Sequence, residues 1–185
     1  LQEAWEEVIV NKIISMAHKA GWYAAQPATV KRLFIGEHTG LLMLSRYPII
    51  AHEQTIYEDR IGSDWLANKG AQYATIEVPT PTPHHVHIVN THLNASGTVS
   101  GGKSEFGNVA RKQLLQLLKY LPHQFHSSQT LLVGDLNLIP DEVSDFIETT
   151  SESHGTCALT STGVIDKYIS FPEEDWQLDY VLGFL

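Results

Sequence analysis

Between residues 4 and 20, Trp5, Ile9, Ile13, Met16, Ala17 and Ala20 recur at helical spacing. That period predicts an amphipathic helix whose apolar stripe faces a core, with Gly21 as its stop. TGLLMLSRYPII at 39–50 is almost continuously apolar and predicts a buried strand with its exit marked by Pro48. AQYATIEV at 71–78 alternates apolar and polar residues, and HVHIVNTHL at 85–93 follows a Pro-rich turn; both predict strands. NASGTVSGGKSEFG at 94–107 reads as a polar loop. Ala110, Leu114, Leu117, Leu118 and Leu121 fall at i, i+4, i+7, i+8 and i+11, and Pro122 follows, so a helix ends there. A strand at LLVGDLN, a short helix near DEVSDFIE, a Gly/Ser/Thr-rich stretch at 149–163 and a last strand WQLDYVLGFL complete the chain. Strands and helices alternate without strict βαβ regularity, and there are no repeats or linkers. The expectation is a single α/β domain over 1–185 with helices covering sheet faces.

The strand LLVGDLN, residues 131–137, ends in polar side chains. Alternation along a strand sends Asp135 and Asn137 to one face and Leu136 to the other. A carboxylate and an amide would then share one strand mouth. Three more polar residues sit at or just past strand ends: Glu3 in LQE, His92 in NTHL and Asp179 in LDYVL. Each has an ordinary explanation when taken singly. Glu3 suits a helix start, where the macrodipole favours a carboxylate. His92 is compatible with a half-buried histidine bonded to a backbone carbonyl. Asp179 lies between apolar residues and needs a partner, because unpaired burial of a carboxylate is costly.

Together these residues supply what phosphoryl hydrolysis with a hard cation requires. Magnesium takes oxygen ligands, often one or two carboxylates with waters and substrate phosphate completing the shell; Glu3 is the best candidate for a direct ligand. An imidazole and an amide can donate to phosphoryl oxygens, and a second carboxylate can orient water or move a proton. No Cys/His set has zinc-ligand spacing, and neither GxxxxGK[ST] nor GxSxG occurs.

Composition narrows the picture further. The chain has 185 residues, is 43% hydrophobic and contains no apolar run long enough for a membrane span, which describes a soluble globular protein. A net charge of −9 provides no broad basic field for nucleic acid. Cys157 stands alone, so no intrachain disulfide forms, and it is read as a small buried apolar residue. No signal peptide is visible, and the chain opens on LQEAWEE rather than on methionine. The compartment stays open, and a monomer is the default expectation.

In order, LQE, LSRYPI, the Lys-Gly at 69–70, NTHL, GDLN and LDYVL resemble the endonuclease/exonuclease/phosphatase superfamily, the DNase I-like fold. The resemblance covers nearly the whole chain. It implies a four-layer α/β/β/α sandwich, two mixed sheets face to face with helices outside, and divalent-metal-dependent phosphodiester hydrolysis with Mg2+, or alternatively Mn2+. It implies that Glu3 ligates the metal, that His92 contacts phosphate, that Asp135 and Asn137 orient water and bind phosphate, and that Asp179 supports the site as a buried aspartate. The family's first strand, with an active-site asparagine, would precede Leu1, and its Ser-Asp-His segment would follow Leu185. The expectation is therefore a domain lacking its terminal strands. None of the histidines at 84, 85, 87, 123, 126 and 154 sits in a matching context, and all are read as surface or turn residues.

SDWLANKGAQYATIEV followed by HIVNTHLNAS resembles the sphingomyelinase-like branch, and the acidic balance suits a lipid headgroup better than a DNA backbone. The expected partner is a phosphodiester substrate, a phospholipid headgroup or nucleic acid. Against a membrane role, the 94–107 loop offers only Phe106 where an interfacial device wants several apolar anchors. Trp65 is a candidate anchor, with partly buried core as the competing reading. Lys69 is a candidate phosphate contact, or else a solvated lysine at a strand start. Arg111 is read as one half of a surface ion pair. A nuclease and a non-catalytic binding domain of the same fold are the alternatives.

Overall fold

The computed structural model describes residues 1–27, 29–32, 35–65, 67–95, 105–126, 129–154, 159–161 and 179–184. In chain order the elements are helix α1 (Glu7–Lys19), strands β1 (Tyr23–Ala25), β2 (Thr29–Arg32), β3 (Ile35–His38), β4 (Met43–Ser45), β5 (Ile49–Ile56), β6 (Gly70–Val78) and β7 (His84–His92). Helix α2 (Glu105–Tyr120), strand β8 (Thr130–Asp135), helix α3 (Pro140–His154) and strands β9 (Leu159–Ser161) and β10 (Asp179–Phe184) follow. Cys157, the side chains of Trp65, Phe106 and His154, and residues 176–178 of the expected last strand lie outside the described part, as does most of the 94–107 loop.

A six-stranded sheet in the order β5-β6-β7-β8-β10-β9 forms the centre. It is mixed: β7 and β8 are parallel, and the other neighbours are antiparallel. Alternation sorts its residues to two faces. Tyr73, Val89, Leu132, Tyr180 and Leu182 point to one face, where they pack with Ala110, Leu114 and Leu117 of α2 and Val143 and Phe146 of α3. Ala74 and Ile88 point to the other, against Ala25 and Met43 of the antiparallel β1–β4 ladder. The far side of that ladder is covered by Val10 and Ile14 of α1, packed on Leu42, Ala24 and Leu44. The layer order is thus helix, sheet, sheet, helix, an α/β sandwich. Among the described residues the second sheet is the β1–β4 pair alone, with β2–β3 a separate two-stranded hairpin.

Several elements differ from the sequence pattern. In α1 the buried stripe is Val10, Ile14 and Ala17, whereas Ile9 and Met16 are exposed. The segment VIVNKII presents two overlapping apolar stripes, and packing on Leu42, just before β4, selects the second. The run at 39–50 is buried at Leu41 and Leu42 but breaks at Arg46 and Tyr47 into β4 and β5. Helix α3 extends into the Gly/Ser/Thr-rich stretch as far as His154, and Thr149 and Thr150 donate their hydroxyls to the carbonyls of Asp145 and Phe146. His87 is buried, bonded to Thr75 and tilted against Phe125; it faces the α2 side because its strand parity matches Val89. No helix among the described residues is long and apolar enough to cross a membrane.

Candidate active site

The parallel neighbours β7 and β8 end at His92 and Asp135, which sit in register, and Asp179 opens β10 directly opposite Asp135. Residues in register share a face, so His92, Asp135 and Asp179 form a row at one end of the sheet. They lie on the face that looks toward the β1–β4 ladder, since His92 has the parity of Ile88. This end holds the carboxyl termini of the parallel pair, where crevices form in open α/β sheets. Gly70 lies opposite His92, which brings Lys69 to the same row from β6.

Within the row, His92 Nε2 is 2.6 Å from Lys69 Nζ and 3.6 Å from Asp135 Oδ2. Lys69 Nζ is also 3.6 Å from Asp64 Oδ2. Both His92 and Lys69 are 2% exposed, which overturns the solvated-lysine reading: the residues following it are pinned under the β7 end. Burial pulls the Lys69 ammonium down, while the carboxylates of Asp64, Asp135 and Glu3 push it back up. Burial and the adjacent Lys69 charge pull His92 down to about 3, so the ring is neutral at neutral pH. An ammonium donating to Nε2 leaves the ring proton on Nδ1, and that atom is buried with no partner among the described residues. An orphaned buried donor is costly.

Asp135 is pushed up to about 6, chiefly by burial and further by Asp179 and Glu3, against the stabilising pull of the Asn137 N–H and Lys69. The strand argument for Asn137 needs revision. β8 stops at Asp135, and Asn137 lies beyond it with φ 49°, the left-handed conformation that asparagine tolerates. Its N–H donates to Asp135 Oδ1 at 2.9 Å and its side-chain amide donates to the Leu93 carbonyl at 3.0 Å. A turn, not pleat alternation, brings the Asn137 backbone N–H onto the carboxylate, while the side-chain amide is turned to Leu93. Asp179 is half-buried rather than fully buried.

Glu3 reaches the row from outside the six-stranded sheet. Leu1 and Ala4 run along residues 40–42, with N–H to carbonyl bonds Leu1 to Leu42, Leu42 to Leu1 and Ala4 to Gly40. Gln2 and Asn90 add a side-chain bond of 2.7 Å to β7. Glu3 itself has φ 55°, a strained conformation for a residue without a compensating side-chain bond and one that clusters at functional sites. Its exposed carboxylate raises the pKa of both Lys69 and Asp135. Arg111 stands apart, paired with Asp145 at 2.7 Å between α2 and α3.

Sequence reasoning passed over four residues that shape this end. Tyr180 donates to the Leu138 carbonyl at 2.8 Å, fixing the turn after Asp135. Asp64, Asn94 and Gln113 bond the loops around Lys69 and His92. The one legible signal was Gln113, a polar residue on the buried stripe between Ala110 and Leu117.

The donor set suits a hard cation that keeps most of its own water. Glu3, Asp135 and Asp179 supply only oxygen, and their mutual repulsion at Asp135 is what a cation would relieve. Among the described residues, no group of three His, Cys, Asp or Glu converges in a way that could hold a metal ion.

The strain on Asp135 has a measurable consequence. Its folded pKa, about 6, lies above the ordinary 3.8, so the native state holds this proton more tightly than the unfolded chain. That stabilisation is present below the unfolded value and is lost as pH rises through the folded one. At about 1.4 kcal/mol for each pH unit, the loss reaches about 3 kcal/mol. In chelator, Asp135→Asn is expected to have a higher urea midpoint than the wild type at about pH 8, the difference vanishing near pH 4. Equal midpoints at the higher pH would mean that the carboxylate is not strained.

No family model matches the chain. A sphingomyelinase of Dictyostelium discoideum is 28% identical over 154 residues, covering 69% of this chain and 33% of that protein. Sphingomyelinase C of Bacillus cereus is 26% identical over 164 residues, covering 80% and 48% respectively. The chain thus spans between a third and a half of the length of these curated relatives. Among solved structures, sphingomyelinase C of Streptomyces griseocarneus superimposes with a TM-score of 0.73 at 23% identity, covering 98% of this chain and 68% of that one. Beta toxin of Staphylococcus aureus, solved with bound magnesium ions, gives a TM-score of 0.66 at 20% identity, over 80% and 55%. An endonuclease/exonuclease/phosphatase of Beutenbergia cavernae gives 0.58 at 16%, over 94% and 49%. The chain therefore has the DNase I-like fold of the endonuclease/exonuclease/phosphatase superfamily, and its sequence relatives are sphingomyelinases.

Proposed function

We propose that this chain carries the phosphodiester-cleaving site of a metal-dependent, sphingomyelinase-like phosphodiesterase. The observation that carries the reading is the row of His92, Asp135 and Asp179 across three neighbouring strands, with Lys69 just before β6 beside His92 and Asp135 poised at about 6. A base of that pKa is matched to proton transfer near neutral pH. Asp135 accepts the proton of the attacking water, and Asp179 keeps it basic through repulsion. Lys69 presents a donor and positive charge to the phosphoryl oxygens, where charge accumulates in the transition state, and the neutral His92 ring, accepting from that ammonium, holds it in place. The Asn137 backbone N–H fixes one Asp135 oxygen and so aims the other. Glu3 is the residue that would hold a divalent cation, magnesium or manganese, at the cleft. Such an ion, when bound, neutralises phosphoryl charge and lowers the pKa of its water.

The sphingomyelinase relatives and the acidic balance of the chain support a phospholipid headgroup as substrate. The test is hydrolysis by the intact protein, with magnesium or with chelator, of sphingomyelin in mixed micelles, of duplex DNA and of a chromogenic phosphodiester. Magnesium-dependent release of phosphocholine without DNA cleavage is the expected result. DNA cleavage alone would make the protein a nuclease. Tight binding with no turnover on any substrate would make it a binding domain.

A further inference from the structure

The geometry points to Gln113 as a positioning residue of this site, one that sets the spacing between the segment carrying Lys69 and the strand end carrying His92. The inference rests on the phosphodiesterase reading above and deepens it. Gln113 is fully buried on α2. Its Oε1 accepts the N–H of Asn94 at 2.7 Å, and its Nε2 donates to the Asp59 carbonyl at 2.8 Å. One side chain therefore holds both loops at the mouth.

Other bonds extend this clamp. Asn94 Oδ1 accepts the N–H of Ile61 at 3.1 Å, and Asp64 Oδ2 accepts the N–H of Ala95 at 2.6 Å. One turn further along α2, Gln116 accepts from the N–H of Glu58 and donates to the carbonyl of Ile56. Leu93 is held from the opposite side: its N–H donates to the Asp135 carbonyl, and its own carbonyl accepts the Asn137 amide. The three residues after His92 are thus bracketed between Asp135 with Asn137 on one flank and Gln113 with Asp64 on the other.

None of the described residues of 57–69 and 93–95 belongs to a strand, so side chains satisfy several of the backbone groups that a sheet would otherwise pair. Segments held in this way open more easily than a core strand. A displacement of about 1 Å in a reacting group costs on the order of a hundredfold in rate. Gln113 acts through Asn94 and Asp59, at a distance from the substrate, and its two bonds run to loops whose far ends carry Lys69 and His92.

Gln113→Met keeps the shape and removes both bonds. The expected result on the chromogenic phosphodiester is a fall in kcat of roughly a hundredfold, with KM and the magnesium concentration for half-maximal rate little changed. Glu3 hangs from residues 40–42, not from α2, so its ion should be unaffected. Amide exchange at Asn94 and Ala95 should accelerate while Tyr73 and Leu132 stay protected. Gln113→Glu keeps the acceptor for Asn94 and regains the donor to Asp59 only when protonated. Its kcat relative to the wild type should therefore recover as pH falls, which a packing role would not produce. A wild-type kcat per folded Gln113→Met molecule, or unchanged exchange at Asn94, overturns the inference. Should Gln113→Met not fold, a pH-independent ratio for Gln113→Glu overturns it instead. A wild-type protein that hydrolyses nothing sinks the phosphodiesterase reading, whereas the exchange pattern judges the clamp separately.

Discussion

Asp135→Asn is expected to lower kcat by roughly 10²–10⁴-fold, the range associated with loss of a general base, while KM changes little. The substitution keeps the shape of the side chain and its acceptor for the Asn137 N–H, but removes the group proposed to take the proton. An interaction made only in the transition state lowers kcat and kcat/KM together. Glu3→Gln should behave differently. Losing an anionic oxygen at the rim weakens the hold on a divalent cation, so the magnesium concentration for half-maximal rate should rise while the rate at saturating magnesium stays close to wild type. Steady-state kinetics across a magnesium titration separates the two. An Asp135→Asn enzyme of normal rate, or a Glu3→Gln enzyme of normal magnesium dependence, would remove the corresponding assignment. The stability measurement in chelator is independent of both, because Asp135→Asn is expected to stabilise the protein that it disables. A residue whose removal strengthens the fold and abolishes turnover is held in place at a cost, as preorganised sites require.

The sequence made some of this legible and concealed the rest for identifiable reasons. Helix α2 and strands β6, β7 and β8 carry a single unambiguous period, so Leu114, Tyr73, Val89 and Leu132 fall where the pattern puts them. The stripe on α1 could not be chosen from the pattern, because Ile9–Ile13–Met16 and Val10–Ile14–Ala17 are both continuous, and the packing surface of Leu42 with Ala24 and Leu44 decides between them. Strands β4 and β5 merged into one run because Arg46 and Tyr47 are a weak break within an apolar stretch. At the site, Glu3 lies in the segment before α1 and Asn137 in the turn after β8, whereas His92, Asp135 and Asp179 were visible because each closes or opens a strand. Their burial was not: Lys69 sits at a strand start, where a lysine is ordinarily solvated, and only the neighbours His92 and Asp64 convert it into an interior cation. Asn137 was expected beside Asp135 by pleat parity and arrives there by a left-handed turn instead. Gln113 was visible as a polar residue on the buried stripe of α2, but its partners were not, because both its bonds go to main-chain atoms of distant loops, which no side-chain pattern records.

Gly134→Ala is expected to be among the most damaging single changes in the chain, by roughly 3–5 kcal/mol, combining a backbone penalty of about 1–3 kcal/mol with a similar one for overpacking. Gly134 precedes Asp135 in the buried centre of the sheet and has φ 143°, a region that side-chain-bearing residues rarely adopt. A Cβ at this position would overlap the Thr91 carbonyl of the parallel neighbour β7. That carbonyl is main chain and cannot rotate away, so β7 and β8 must separate or the strand must twist. Both responses move His92 relative to Asp135, since the two are registered immediately beyond this pair. Urea denaturation should show a large fall in midpoint, and whatever remains folded should turn over slowly, because the 3.6 Å spacing between His92 Nε2 and Asp135 Oδ2 depends on the close approach. This combination distinguishes Gly134 from an ordinary core position such as Leu114, where truncation to alanine should cost roughly 2–5 kcal/mol yet leave the kinetics of the folded fraction intact. A Gly134→Ala protein of normal midpoint would show that β8 does not pass so close to Thr91, and the placement of Asp135 beside His92 would fall with it.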